Sequence, residues 1–302
     1  MDQLPKSPLG LTTTTKAQTT TILEESALQT LHYFGYFEHA LRVEEVHKYL
    51  NVKASLAAVE TALNRLLKKG RLSCNEGLWA LDAAHCSKRE KHLKRNARML
   101  RAAKVMGRFI QCFPFVRGVY LSGSLSKHGV TTKEDDLDFF IITKTGRVWA
   151  TKLLLIAFKK IFLFNNEKYF CINLLMAEDQ LELKKHNLYI ATEAASLIPL
   201  TNPSLLREFW EKNPFVLNRF PNLELPKKHI KQKRLRVFEA IIDSTVGKAL
   251  ERSAHNKFKQ HVEEKRKESG YYDTSEGVSA YFPESVEERV LNHMSKSNLK
   301  DE

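Results

Sequence analysis

The chain has 302 residues, 43% of them hydrophobic, enough apolar material for one large folded domain or two smaller ones. Lys and Arg number 48 against 35 Asp and Glu, and the formal net charge of +13 favours polyanionic partners such as nucleotides, nucleic acid or an acidic surface, without naming any chemistry. Four scattered cysteines with no C-x-x-C spacing argue against a zinc-centred or disulfide-stapled fold. No apolar run is long and uncharged enough to cross a bilayer, so a soluble cytoplasmic protein with no membrane partner is expected.

Residues 1–21 carry a threonine-rich tract and two prolines but no apolar export core, and read as a disordered tail. Residues 22–86 then show three short amphipathic patterns: Ala27, Leu28, Leu31, Phe34 and Phe37; Val43, Val46, Tyr49 and Leu50; and Val59, Leu63, Leu66 and Leu67. Ser55 is placed to cap the third. A hairpin follows, with its turn at Asn75 to Gly77. Three helices and a basic hairpin resemble a winged-helix domain. The third helix offers few cationic side chains for reading bases, so a protein-contact or lid role is the favoured expectation over sequence-specific DNA binding.

Residues 87–112 predict a basic connecting helix, with Lys88, Arg89, Lys91, Lys94, Arg95 and further cations crowding around the apolar positions Leu93, Leu100 and Met106. A solvated linker is the simpler reading, and a surface tracking nucleic-acid phosphates the alternative. Pro114 closes this segment.

Residues 113–200 carry the pattern with the most chemistry. Val119 to Leu121 predict a strand, Ser122-Gly123-Ser124 a tight bend, and Leu137 to Ile142 a second strand. Asp136 and Asp138 stand two apart in extended sequence, so period-two alternation puts both carboxylates on one face. Adjacent buried carboxylates repel, and a divalent cation relieves them. Mg²⁺ (or Mn²⁺) fits, since it binds through one or two carboxylates plus substrate phosphates and water. Gly123 lets backbone approach a phosphate, and the Ser124 hydroxyl can donate to one. Lys127 and His128, just past the bend, are candidate triphosphate contacts. Glu134 and Asp135 add negative charge before the pair.

Taken together, Ser122-Gly123-Ser124, a spacer and Asp136-Leu137-Asp138-Phe139 resemble the DNA polymerase beta-type nucleotidyltransferase superfamily. Residues 114–200 are also similar to a bacterial group that joins a winged-helix region to such a core. The resemblance implies Asp136 and Asp138 as catalytic metal ligands, Gly123, Ser124 and Lys127 as nucleotide contacts, and a nucleoside triphosphate (NTP) as substrate. An acceptor hydroxyl, on a small molecule or a protein, would attack the α-phosphate and release pyrophosphate. A third carboxylate is expected on the next strand, Tyr169 to Leu175, but the matching position holds Asn173, which can ligate or hydrogen-bond yet cannot take a proton. Three outcomes stay open: two carboxylates suffice; a base comes from Glu178, Asp179 or Glu193; or the domain binds nucleotides without turnover, as a sensor or a DNA-associated regulator.

The lysine-punctuated stretch Val148 to Phe164 predicts a helix packed on this sheet, with Trp149 as a packing residue. Residues 201–302 predict a largely helical region shaping the acceptor pocket. Helices are expected at Tyr189 to Ile198, Leu205 to Trp210 and Leu235 to Val262, with an irregular connection over Asn213 to Asn222 and charged, exposed segments at His261 to Glu268 and after Ser295. The expected fold is therefore mixed α/β (α+β): a nucleotidyltransferase-type mixed sheet, a winged-helix-like N-terminal domain and C-terminal helices.

Overall fold

A computed structural model describes residues 16–129, 136–164, 166, 168, 170–227, 239, 245–265, 271–282 and 284–298. In chain order come α1 (Lys16–Gly35), α2 (Val43–Tyr49), α3 (Leu56–Lys68), β1 (Ser73–Asn75), β2 (Leu78–Ala80), α4 (Ala83–Ile110), β3 (Val116–Leu121), α5 (Gly123–Ser126), β4 (Asp138–Thr143) and α6 (Val148–Phe162). They are followed by β5 (Cys171–Ala177), α7 (Leu188–Ser196), β6 (Ile198–Pro199), α8 (Pro203–Lys212), α9 (Pro214–Arg219), α10 (Thr245–Lys265), β7 (Tyr271–Asp273), β8 (Val278–Phe282) and α11 (Glu284–Asn298). The protein is mixed α/β, and none of the helices in the described residues is long and apolar enough to cross a membrane.

The N-terminal elements follow the apolar spacing. Ser55 caps α3 by accepting from the Ala58 N–H at 3.3 Å, and the β1–β2 hairpin gains a third backbone partner where Leu41 and Trp79 exchange hydrogen bonds of 2.8 and 2.7 Å. Helix α1 begins at Lys16, inside the stretch expected to be a disordered tail; residues 1–15 lie outside the described residues.

Six strands form the main sheet in the order β6-β3-β4-β5-β8-β7, with β4 and β5 parallel and every other neighbouring pair antiparallel. A parallel pair needs a crossover, which α6 supplies between β4 and β5. Alternation along β4 sorts the core into two layers. Leu137, Phe139 and Ile141 pack with Met99, Trp149 and Leu155 on one side. Phe140 and Ile142 pack on the other with Tyr120, Met176, Leu206 and Phe209, in a cluster that continues into Leu31, Leu63 and Trp79 of the N-terminal elements. The N-terminal helices thus share a core with the face of the sheet that carries Asp138.

Sequence alone misses several elements. The C-terminal region contributes the β7–β8 hairpin to the main sheet as well as helices, the connection after Asn213 holds α9, and α11 runs past Ser295 to Asn298. Of the helix expected over Leu235 to Val262, residues 235–238 and 240–244 lie outside the described residues, Val237, Ala240 and Ile241 among them.

Helix α4 also departs from a solvated linker at Arg89. Its side chain is 3% exposed, and the guanidinium donates to both Glu45 carboxylate oxygens at 2.5 and 2.8 Å and to the Ala40 carbonyl at 2.6 Å. Removing one member of a buried pair strands the other charge. Arg89→Met is therefore expected to lower unfolding free energy by about 3–5 kcal/mol in a denaturant titration, with much of the loss recovered when Glu45→Gln is added.

Candidate active site

Strand β3 ends at Leu121, and the chain turns at once: the Ser122 N–H donates to the Asp138 carbonyl at 2.9 Å, which ties the bend to the first residue of β4. Gly123 has φ +67°, the left-handed region that favours glycine. A β-carbon there would overlap Asp138 Oδ2 and lie only 2.9 Å from its Cγ, so the carboxylate rests directly on the glycine backbone. The bend is closed by Ser126 Oγ donating to the Gly123 carbonyl at 2.8 Å, and by the Lys127 and Gly129 N–H groups donating to the Ser124 carbonyl at 3.1 and 2.8 Å.

Asp138 is half-buried, and its carboxyl is pushed up to about 6, chiefly by burial and further by the negative charge of Asp136. Side-chain hydrogen bonds with Cys171 and Asn173, and the Lys127 charge, work against the rise. Asn173 reaches this position through an irregularity in β5. Phe139 pairs with Ile172 but Phe140 pairs with Leu174, so Asn173 is an extra residue in the ladder. Such a bulge re-aims side chains, and here the consecutive Asn173 and Leu174 both line the same cavity.

That cavity, about 340 Å³, opens beside the bend. Ser122, Gly123, Asp138 and Asn173 line one part of it, and Phe140, Met176, Leu197, Phe209, Val278 and Ala280 give it an apolar wall. Ser122 Oγ is buried with no hydrogen-bond partner among the described residues. Charged groups from later in the chain complete the lining in pairs: Lys185 Nζ lies 3.0 Å from Glu287, and Lys184 Nζ 2.7 Å from Asp273. Glu193, also on the wall, accepts from Lys127 Nζ at 2.8 and 2.9 Å. Tyr189 ties the set together electrostatically, its hydroxyl raised well above its ordinary value first by burial and then by Glu193, Glu287 and Asp138.

The structure brings together Gly123, Asp138 and Asn173. Asp136 lies just before β4, close enough to raise the Asp138 carboxyl, but does not reach the cavity wall. Ser124 and Lys127 also stay off the wall; Ser122 occupies it in place of Ser124, and Lys127 acts through Glu193. His128 is off the wall as well, its carbonyl accepting from Asn96 at 2.7 Å and its ring held below its ordinary value by burial. Glu134 and Asp135 lie outside the described residues. Two of the candidate bases are misplaced. The Glu178 N–H bonds the Thr143 carbonyl, and Asp179 follows it, so both sit at the other end of β4 from Asp138, roughly 17 Å along the strand. Of the three acids considered, only Glu193 lines the cavity.

Among the described residues no group of three or more His, Cys, Asp and Glu side chains is set to hold a metal ion. The side chains that act on Asp138 are Cys171 and Asn173 by hydrogen bond and Asp136 and Lys127 by charge, and Ser122 shares the cavity wall with it; one or two carboxylates of this kind leave the remaining positions of a cation to phosphate and water. On the other surface, α3 has little to offer a base edge. Thr61 and Asn64 bond back to their own helix at 2.8 and 3.0 Å, and Lys69 and Arg65 lie 2.6 and 3.7 Å from Glu24. Comparison of the chain with family models, with curated proteins and with solved structures returned no match.

Proposed function

We propose that the protein is a Mg²⁺-dependent nucleotidyltransferase that moves a nucleoside monophosphate from an NTP onto the hydroxyl of a small acceptor. The observation that carries this reading is the Asp138 carboxylate lying on the Gly123 backbone at the edge of a cavity. Phosphate transfer to a hydroxyl needs a site for negative phosphate and a site for cation side by side, and the Gly123 bend against Asp138 would serve as both. An antiparallel β3–β4 pair with a Gly-Ser bend, followed by a parallel β5, supports a nucleotidyltransferase-type core. Three helices with a hairpin bridged to Leu41 support a winged-helix-like start.

The residues fit a divalent cation: a carboxylate held near 6 by burial gains from a positive neighbour, and the Ser122 hydroxyl, without a hydrogen-bond partner among the described residues, belongs to a residue on the same cavity wall. Asp138 and Asp136 would hold the ion, which when bound neutralises the phosphates and the leaving pyrophosphate. Ser122 and the bare backbone of Gly123 would receive phosphate oxygens. Glu193, held by Lys127, would take the proton from the acceptor hydroxyl as its oxygen bonds to the α-phosphorus and the bond to pyrophosphate breaks. The apolar wall from Phe140 to Ala280 suits the body of a small acceptor better than a protein chain.

One observation favours a second reading, a nucleotide sensor: Asn173 stands beside Asp138, where a third carboxylate would stand in the superfamily that the sequence resembles. Incubation with each α-labelled NTP, Mg²⁺ and a cell extract separates the two. Label transferred to a small molecule with pyrophosphate release supports the transferase. Metal-dependent nucleotide binding with no pyrophosphate released supports the sensor.

A further inference from the structure

We infer that the outer face of α4, together with the end of α6, docks on an anionic lipid surface. The first turns of α6 are core, with Val148, Trp149, Ala150 and Leu155 buried, but the last turn and the residues after it are not. Ile161 is 66% exposed, Phe162 65% and Phe164 91%, and Phe164 is held at φ +48°, a conformation unfavourable for a large side chain. Val105, 69% exposed, and Phe109, 39% exposed, lie one turn apart on α4. The Phe158 ring joins the two helices, 4.9 Å from Phe109 and 5.0 Å from Phe162, so these two exposed rings flank one side chain, with Val105 one turn from the first and Ile161 and Phe164 adjoining the second in sequence.

Charge identifies the occupant. Arg101, Lys104, Arg108 and Lys160 are exposed on the same two helices. No acidic residue occurs between Glu90 and Glu134, or between Asp138 and Glu167, so neither helix carries a carboxylate beside this surface. Exposed aliphatic and aromatic side chains ringed by cations match the boundary of a bilayer with negative headgroups: the apolar groups enter the acyl region and the cations meet the phosphates. Nucleic acid fits less well, because Val105 and Ile161 have no π-face on which a base can stack. A second copy would set two basic surfaces against each other. No membrane-spanning helix is needed, since the contact lies in the plane of the interface.

The test is flotation of the full chain with vesicles of phosphatidylcholine alone and of phosphatidylcholine with phosphatidylglycerol. Binding is expected only to the second, weakening with added salt. Phe162→Ser with Phe164→Ser, and separately Arg108→Glu with Lys160→Glu, are each expected to lower the affinity about tenfold or more. All four side chains are exposed, so the thermal midpoint should hold. Should a variant unfold, wild-type hydrogen exchange decides: slower exchange at residues 105–109 and 161–164 on vesicle addition supports the proposal, and unchanged exchange overturns it. Equal binding to both vesicle types, or to neither, also overturns it. So does an oligonucleotide complex or a dimer that the same variants abolish while vesicles stay unbound.

Discussion

Asp138→Asn is expected to give a folded protein that is more stable than the wild type at about pH 7.5 yet reduced about a thousandfold in nucleotide transfer. The two effects share one cause. Burial raises the Asp138 carboxyl to about 6, so the folded chain holds this proton more tightly than the unfolded chain does. The wild type therefore loses stability as pH rises from the ordinary carboxylate range, near 3.8, through 6, and above that it bears the full cost of a buried charge. Asparagine removes that cost, roughly 1–3 kcal/mol. The gain should shrink as pH falls and vanish below about pH 4, a trend that denaturant melts at several pH values will read directly. A variant less stable than wild type at neutral pH would mean that Asp138 is a structural hydrogen-bond partner and no charged site.

Gly123→Ala is expected to fail in a different way. The new methyl meets Asp138 Oδ2 while the residue is held at φ +67°, so the backbone and overpacking costs add to roughly 2–4 kcal/mol. Gly146→Ala is the control. Gly146 has φ +65° but nothing within 4 Å of the added carbon, so only the backbone cost, about 1 kcal/mol, should appear. Relief of the clash moves the Asp138 carboxylate, and transfer should fall with stability in Gly123→Ala but hold in Gly146→Ala. Equal losses of stability in the two variants would show that the acid and the bend are not in contact.

Where the site could be read in advance, the reason is local. The run from Leu137 to Ile142 is apolar on both faces except at Asp138, and its odd and even residues enter the two core layers in turn, so the face on which Asp138 lies was legible from the period of two of an extended strand. Asp136 was harder, because the strand starts at Asp138 and the two-residue spacing runs out of regular backbone. Asn173 was identified by its position, but the bulge that brings it and Leu174 to one wall depends on pairing with β4, which no single strand discloses. The far side of the cavity was missed altogether. Asp273, Val278 and Ala280 arrive on a hairpin whose signals were present, with tyrosines at 271 and 272, a turn at Glu276-Gly277 and an apolar run from Val278, but it lay within a region dominated by helical patterns. The pairings of Lys127 with Glu193, Lys185 with Glu287 and Arg89 with Glu45 span long stretches of chain, which periodicity does not address.

The central claim is that Asp138 and the bend at Gly123 receive one cation and one triphosphate together. Titration of Mn²⁺ followed by electron paramagnetic resonance, with and without a non-hydrolysable NTP analogue, tests it most directly. The account predicts that the analogue tightens manganese binding to the wild-type chain and has no such effect on Asp138→Asn. Manganese binding indifferent to the nucleotide, or equally nucleotide-dependent in the variant, would contradict it.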